Sequence, residues 1–156
     1  GVRFIQLFHP DWDHHSRLPS WCTARCRDTD QPSAALIADL KRRGMLDDTL
    51  VLWGGEFGRS VVGQGDWQSI EAGRDHHPRC FSLWMAGGGV KGGHVHGATD
   101  EFGHHAVSDK VSHHDLHATL LHLFGLDATK VVYKRNNQDL TILDNKNGRV
   151  VKEVLA

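Results

Sequence analysis

Residues 49–59, TLVLWGGEFGR, join a short apolar run to a carboxylate that lies among glycines. The first five residues are mostly apolar, β-branched or aromatic, and this composition predicts a buried strand. The glycines let the backbone turn sharply beyond the strand and approach a ligand. Glu56 at this place indicates a metal ligand or a general base, and the alternative is a surface glutamate in a turn.

Two further apolar runs, residues 2–8 and 80–86, also predict buried strands. A helix is expected between the first two strands, from Asp30 to Gly44, with Pro32 in its first turn. Strands that alternate with helices predict an α/β fold with a mostly parallel sheet and flanking helices. In such sheets ligands bind beyond the carboxyl ends of the strands, so the polar clusters are expected to gather there.

The remaining segments complete the predicted layout. Residues 60–79 are polar and predict a long loop, and a loop of this length is usually functional or disordered. The segment 112–125 predicts a helix that begins with a capping box and ends at a glycine. A C-terminal β-hairpin is predicted, with strands at 139–143 and 149–154.

Composition limits the classes of protein to which the chain can belong. Its 156 residues are enough for one domain with a core. A formal net charge of −1 gives no reason to expect nucleic-acid binding. No apolar run approaches the roughly 18 residues of a membrane-spanning helix. Cys22 and Cys26 could form a disulfide or lie on one helical face.

Histidine is abundant, with 13 residues, several of them in adjacent pairs. Clustered histidine beside aspartate and glutamate indicates metal chemistry more often than packing. Asp13 and His15 stand two positions apart, and in extended backbone such residues point the same way and can bind one ion together. Asp75 and His76 supply a second pair of carboxylate and imidazole. The alternative for each cluster is a solvated surface loop.

These clusters define a candidate metal site. Its predicted ligands are Asp13, His15, Glu56, Asp75 and His76. Carboxylate and imidazole ligands without thiolate suit a divalent ion, and zinc, manganese, magnesium and calcium all remain open. His14 and His77 are expected to matter less for metal affinity than the histidine beside each of them.

A second group of side chains is predicted to bind substrate. Its members are Arg59, Arg74, His77 and His114. Either arginine could pair with an oxyanion through two hydrogen bonds. His114 stands in the first turn of the helix 112–125, whose N-terminus attracts anions, and the alternative is a solvated histidine. Trp12 and Trp67 also lie near candidate site residues in the sequence.

Five motifs in a fixed order carry a family resemblance. They are WDHH at 12–15, GEFGR at 55–59, GRDHHP at 73–78, AGGGVKGG at 86–93 and DLHATLL at 115–121. Together they resemble the bacterial domain-of-unknown-function family DUF1501, which is abundant in planctomycetes and related to sulfatases. The terminal segment 148–156, GRVVKEVLA, is similar to the C-terminus of that family, so the resemblance covers nearly the whole chain.

The resemblance implies that residues 1–156 are the C-terminal portion of one alkaline-phosphatase/sulfatase-like α/β domain. It implies a fragment of a metal-dependent hydrolase of sulfate or phosphate esters, with the catalytic nucleophile in a missing N-terminal half. Glu56 would replace an aspartate ligand of a second metal, whereas Phe57 stands where a ligand histidine is usual. Phe57 therefore favours the alternative, a non-catalytic binding or accessory protein on a degenerate fold.

The same resemblance sets expectations about partners and location. The expected partner is a sulfated or phosphorylated small molecule or polysaccharide, together with the missing N-terminal half of the domain. No nucleic acid and no membrane span are expected. Family members are commonly exported, which implies a periplasmic or extracellular location. The chain alone is expected to be inactive.

Overall fold

The computed structural model describes residues 1–66 and 68–156, so Trp67 lies outside the described residues. Over these ranges the chain forms two α-helices and four antiparallel sheets of two strands each. The helices are α1, Leu18–Arg42, and α2, His113–Leu123. The strands are β1 Val51–Trp53, β2 Gly58–Gln64, β3 Gly73–His77, β4 Trp84–Ala86, β5 Ala98–Thr99, β6 Ala106–Ser108, β7 Val132–Arg135 and β8 Gln138–Thr141. Two 3₁₀ turns, Leu46–Asp48 and Lys152–Val154, complete the elements.

The predicted α/β fold with a mostly parallel, alkaline-phosphatase-like sheet is wrong, because every strand pair in the described residues is antiparallel. β1 pairs with β4, and Trp53 faces Trp84 across the pair with the two rings stacked. Parallel neighbours need a crossover connection, usually a helix. Between β1 and β4 the chain instead folds into the β2–β3 hairpin, so no such crossover exists there.

The apolar run at residues 2–8 forms no strand, which also contradicts the prediction. Its large apolar side chains are 71% to 84% exposed: Val2, Phe4, Ile5, Leu7 and Phe8. Composition gives a segment the capacity to be a buried strand, but the strand forms only where neighbours satisfy its backbone hydrogen bonds. None of the described strands pairs with this segment.

Helix α1 begins well before the predicted start at Asp30. Pro19 occupies its first turn, where a proline is tolerated, and Pro32 lies inside the helix. Two suitable helix starts were therefore present in the sequence, and the earlier one is used. The predicted stop is confirmed, since Gly44 adopts a left-handed φ of 67° just beyond the last turn.

Helix α2 agrees with the prediction. Ser112 and Asp115 form the expected capping box, and Gly125 takes a φ of 76° after the helix end. The buried face carries Ala118 and Thr119, and Ala118 joins Ala128 and Leu143 in a small core. The best-packed part of the described chain is therefore C-terminal.

Two hairpins occur at positions where the sequence did not predict them. The expected loop 60–79 contains most of β2 and all of β3, which pair with a bulge between Arg59 and Gly63. The C-terminal hairpin is formed by β7 and β8 around Asn136 and Asn137, both with positive φ. The predicted strand at 149–154 is absent, and its last residues form a 3₁₀ turn. No helix in the described part of the chain is both long enough and apolar enough to cross a membrane.

Candidate metal centre

The segment that precedes α1 lies against β3 and the residues just before β3, and main-chain hydrogen bonds join the two segments. Arg74 N donates to His14 O at 3.0 Å, and Leu18 N donates to Ala72 O at 3.0 Å. Gly73 is buried at this contact, and a Cβ at that position would overlap the backbone of His15. A glycine is therefore required for the two segments to approach so closely.

Three predicted ligands meet at this junction. The distances are 3.0 Å from His15 Nε2 to Asp13 Oδ1, 2.9 Å from His76 Nε2 to Asp13 Oδ1, and 3.1 Å between the two Nε2 atoms. A tetrahedral ion with bonds of about 2.0–2.1 Å separates its ligand atoms by roughly 3.3 Å. The three atoms therefore fit one ion after shifts of a few tenths of an ångström.

Asp13 and His15 face the same side for a reason different from the predicted one. The backbone here is tightly turned, because His15 N donates to Asp13 O at 3.2 Å and His14 N donates to Trp12 O at 3.0 Å. This local folding is not the extended backbone on which the prediction relied. His14 points inward, is 3% exposed, and has its ring edge-on to Trp21.

Gln64, at the end of β2, orients the ring of His15. Its Oε1 lies 2.7 Å from His15 Nδ1, and because an amide oxygen only accepts, Nδ1 carries the hydrogen. In a neutral ring the lone pair is then on Nε2, the atom that faces Asp13 and His76. Sequence analysis missed Gln64, whose signal is its pairing with Gly73 at the end of the hairpin, which the sequence pattern did not reveal.

Two donors of the site, one of them a permanent cation, converge on one carboxylate oxygen of Asp13. Asp13 Oδ1 accepts hydrogen bonds from His76 Nε2 at 2.9 Å and from Arg59 Nη2 at 2.6 Å. The bond from His76, followed by the one from Arg59, lowers the pKa of Asp13 to about 2. Asp13 is therefore an anion at any physiological pH, as a metal ligand must be.

Two other predicted ligands stand outside this group. Asp75 Oδ1 lies 4.0 Å from His15 Nδ1 and also accepts a hydrogen bond from the backbone of His76 at 2.7 Å. Glu56 is exposed and is not among the residues whose ligand atoms converge. Phe57 packs its ring against His76 with centroids 4.4 Å apart, so it supports a ligand ring instead of supplying a ligand.

The predicted substrate-binding residues are dispersed. Arg59 reaches Asp13, whereas Arg74 donates to Ser60 O at 2.8 Å in the hairpin. His77 Nε2 donates to His104 O at 2.7 Å. The ring of His114 lies against that of His113 at the start of α2, tilted by 39° with ring centroids 3.9 Å apart. Only Arg59 touches the converging group.

Cys22 and Cys26 are free thiols on successive turns of α1, with Sγ atoms 3.9 Å apart. This placement agrees with the helical-face alternative. Burial, reinforced by the neighbouring Cys26, raises the pKa of the Cys22 thiol. A raised pKa leaves less of the reactive thiolate.

The three donor groups are of types that bind one transition-metal ion. Two imidazoles and one carboxylate are the ligands of mononuclear zinc and iron sites that leave positions open for water or substrate. The side chains of Asp13, His15 and His76 are 63%, 39% and 43% exposed, so an ion held by them would face solvent. Such a centre could present a bound water to a ligand from outside.

Comparisons with known proteins identify one relationship. A family model described as "Protein of unknown function (DUF1501)" matches residues 1–155. No curated protein and no solved structure gives a significant match. The matched region contains all three converging residues and nearly the whole chain. The chain therefore belongs to the DUF1501 family.

Proposed function

We propose that this chain binds one divalent metal ion through Asp13, His15 and His76, as part of a hydrolase that acts on sulfate or phosphate esters. The observation that carries the proposal is the approach of two Nε2 atoms and one Oδ1 to within 3.1 Å of one another. Asp13 Oδ1 and His15 Nε2 both face this point with lone pairs when Gln64 holds the hydrogen on Nδ1. In the metal-free protein the Nε2–H of His76 lies between these two acceptors, and a metal ion would take the place of that hydrogen once it moves to Nδ1 of the same ring.

The surrounding residues suit ester hydrolysis at this centre. A bound divalent ion would supply Lewis acidity and a more acidic water. Arg59 lies beside it with a permanent positive charge that suits an oxyanion. Phe57 and Gln64 fix the rings of His76 and His15. The order of the five motifs supports a relationship to sulfatases and an exported location, both as proposals, although the fold of this chain is not that of an alkaline phosphatase.

The donor set ranks the candidate metals. Imidazole nitrogen suits zinc, and to a lesser degree manganese, whereas magnesium and calcium prefer oxygen ligands. We therefore expect calorimetric titration to give one site per chain and the order zinc, manganese, then magnesium and calcium. Substitutions Asp13→Asn, His15→Ala and His76→Ala should each weaken zinc binding at least about 10-fold.

A matched control is available in the glycine-rich loop. His94 is exposed and lies outside the converging group, so His94→Ala should leave zinc affinity unchanged. Zinc binding that survives all three site substitutions, or that His94→Ala reduces equally, would contradict the proposed centre. Hydrolysis should be measured on the full-length parent, with aryl sulfate and aryl phosphate, before and after removal of metal with a chelator.

A second candidate is a non-catalytic binding protein that uses the same metal. Phe57 favours it, since the family resemblance implies a ligand histidine at this position and a phenyl ring, here packed on His76, binds no metal. Glu56 stands apart, so the described residues provide one metal position at this junction. A parent that binds sulfated polysaccharide in a metal-dependent manner but hydrolyses neither ester would establish this alternative.

A further inference from the structure

One carboxylate oxygen of the proposed metal centre, Asp13 Oδ1, has three close neighbours. Asp13 Oδ1 is 2.6 Å from Arg59 Nη2, 2.9 Å from His76 Nε2 and 3.0 Å from His15 Nε2. The first partner is a permanent cation, and the other two are metal-ligand atoms. A divalent ion on Oδ1 would therefore lie in contact range of a guanidinium that uses the same atom, and like charges repel.

Arg59 cannot leave this position without losing other hydrogen bonds. Its Nη2 also donates to Trp12 O at 3.3 Å and its Nη1 donates to Arg74 O at 3.3 Å. Both bonds are long, whereas the bond to Asp13 is short. Once Asp13 turns to a metal ion, the guanidinium keeps two weak neutral acceptors and loses its anion. It then needs another anion within reach.

We infer that Arg59 holds the cation position on Asp13 in the metal-free protein, and that metal binding at the centre releases its guanidinium to bind a sulfate or phosphate group. This inference rests on the proposed metal site and deepens it, because it makes the occupancy of metal and oxyanion interdependent. The bound oxyanion neutralises the charge of Arg59, which would otherwise repel the metal ion. The metal ion in turn binds the carboxylate of Asp13, which would otherwise compete with the oxyanion for Arg59. Each ligand therefore tightens the binding of the other.

Such coupling is reciprocal and measurable. Coupled sites in proteins typically change each other's affinity by about 5- to 150-fold. We expect zinc to bind wild-type protein at least about 5-fold more tightly in sodium sulfate than in sodium chloride of equal ionic strength. Sulfate also complexes zinc weakly in solution, which acts in the opposite direction and cannot imitate the effect.

The decisive variant is Arg59→Gln, which removes the competing charge and keeps hydrogen-bonding atoms. In chloride it should bind zinc more tightly than wild type, by a factor similar to the effect of sulfate on wild type. Addition of sulfate should then change its zinc affinity less than 2-fold. Arg79→Gln is the matched control, because Arg79 is exposed and bonds to His105 away from the centre. It should retain the full sulfate effect.

The reciprocal titration tests the inference without any variant, so this test can still be made if Arg59→Gln fails to fold. Sulfate is titrated into wild-type protein with and without zinc, and zinc should strengthen sulfate binding by the same factor. Wild-type protein that binds zinc with equal affinity in sulfate and chloride would overturn the coupling and leave the metal site standing. Weaker zinc binding by folded Arg59→Gln in chloride would overturn it too. Failure of wild type to bind zinc under either condition would instead refute the proposed function.

Discussion

Substitution of Gln64 by alanine should weaken metal binding without touching any metal ligand. Gln64 Oε1 lies 2.7 Å from His15 Nδ1 and keeps the hydrogen on that nitrogen. Without it, the hydrogen can move to Nε2, the atom 3.0 Å from Asp13 Oδ1, where it gains a hydrogen bond to the carboxylate. That tautomer cannot bind a metal through Nε2.

The size of the effect follows from the role of such orienting partners. Loss of a group that hydrogen-bonds a ligating histidine typically costs about 10- to 100-fold in metal affinity, which corresponds to about 1.4–2.7 kcal/mol. Gln64→Glu should restore affinity, because a carboxylate accepts the same hydrogen. Gln138→Ala, at an exposed position in β8, is the matched control and should have no effect.

Two assays decide the matter. Zinc titration gives the affinity, and proton–nitrogen correlation NMR of the metal-free protein reports which ring nitrogen of His15 carries the hydrogen. Wild type should show the hydrogen on Nδ1, and Gln64→Ala should shift it toward Nε2. An unchanged tautomer, or a 10-fold loss in the glutamate variant as well, would refute the reasoning.

Three further predictions concern stability. His14→Ala should lower the free energy of unfolding by about 1–3 kcal/mol in denaturant titration while reducing zinc affinity less than His15→Ala does, because His14 is 3% exposed. Gly73→Ala should cost about 1–3 kcal/mol and abolish zinc binding together, since its Cβ would overlap the backbone of His15; normal zinc affinity would argue against this packing. The stabilisation from Asp13 should be complete above its ordinary pKa of 3.8 and vanish as the pH falls through about 2, and Asp13→Asn should remove this part of the acid transition.

Elements with local signals could be predicted from the sequence. The capping box of Ser112 and Asp115 and the glycine at 125 satisfy the ends of α2 within a few residues, so they act wherever the helix lies. The choice between Pro19 and Pro32 as the start of α1 was not evident from the local sequence, because a first helical turn tolerates a proline and either residue could occupy one, yet α1 starts at Leu18 and carries Pro32 in its interior.

Strand pairing required information that the sequence pattern does not contain. The runs at 49–53 and 80–86 include strands, but their composition does not specify whether neighbours run parallel or antiparallel. The β2–β3 hairpin was missed because polar residues dominate it and its register is broken by a bulge. The run at 2–8 shows the reverse error, since strong strand composition produced no strand.

The candidate site was predicted in part for the same reasons. Asp13, His15 and His76 converge although the parallel sheet that was expected to gather them is absent. Main-chain pairing between the segment before α1 and β3 replaces that sheet. Glu56 was included because it follows a strand, and without a shared sheet edge nothing brings it to the others.

The exposed apolar run at residues 2–8 has a practical consequence for handling the isolated chain. It places five large apolar side chains in solvent with a single charge, on Arg3, to oppose self-association. Segments of six or seven residues with high strand propensity, low charge and no proline initiate aggregation when they are exposed. The purified chain should therefore form oligomers as its concentration rises, and a charged substitution such as Ile5→Lys should keep it dispersed.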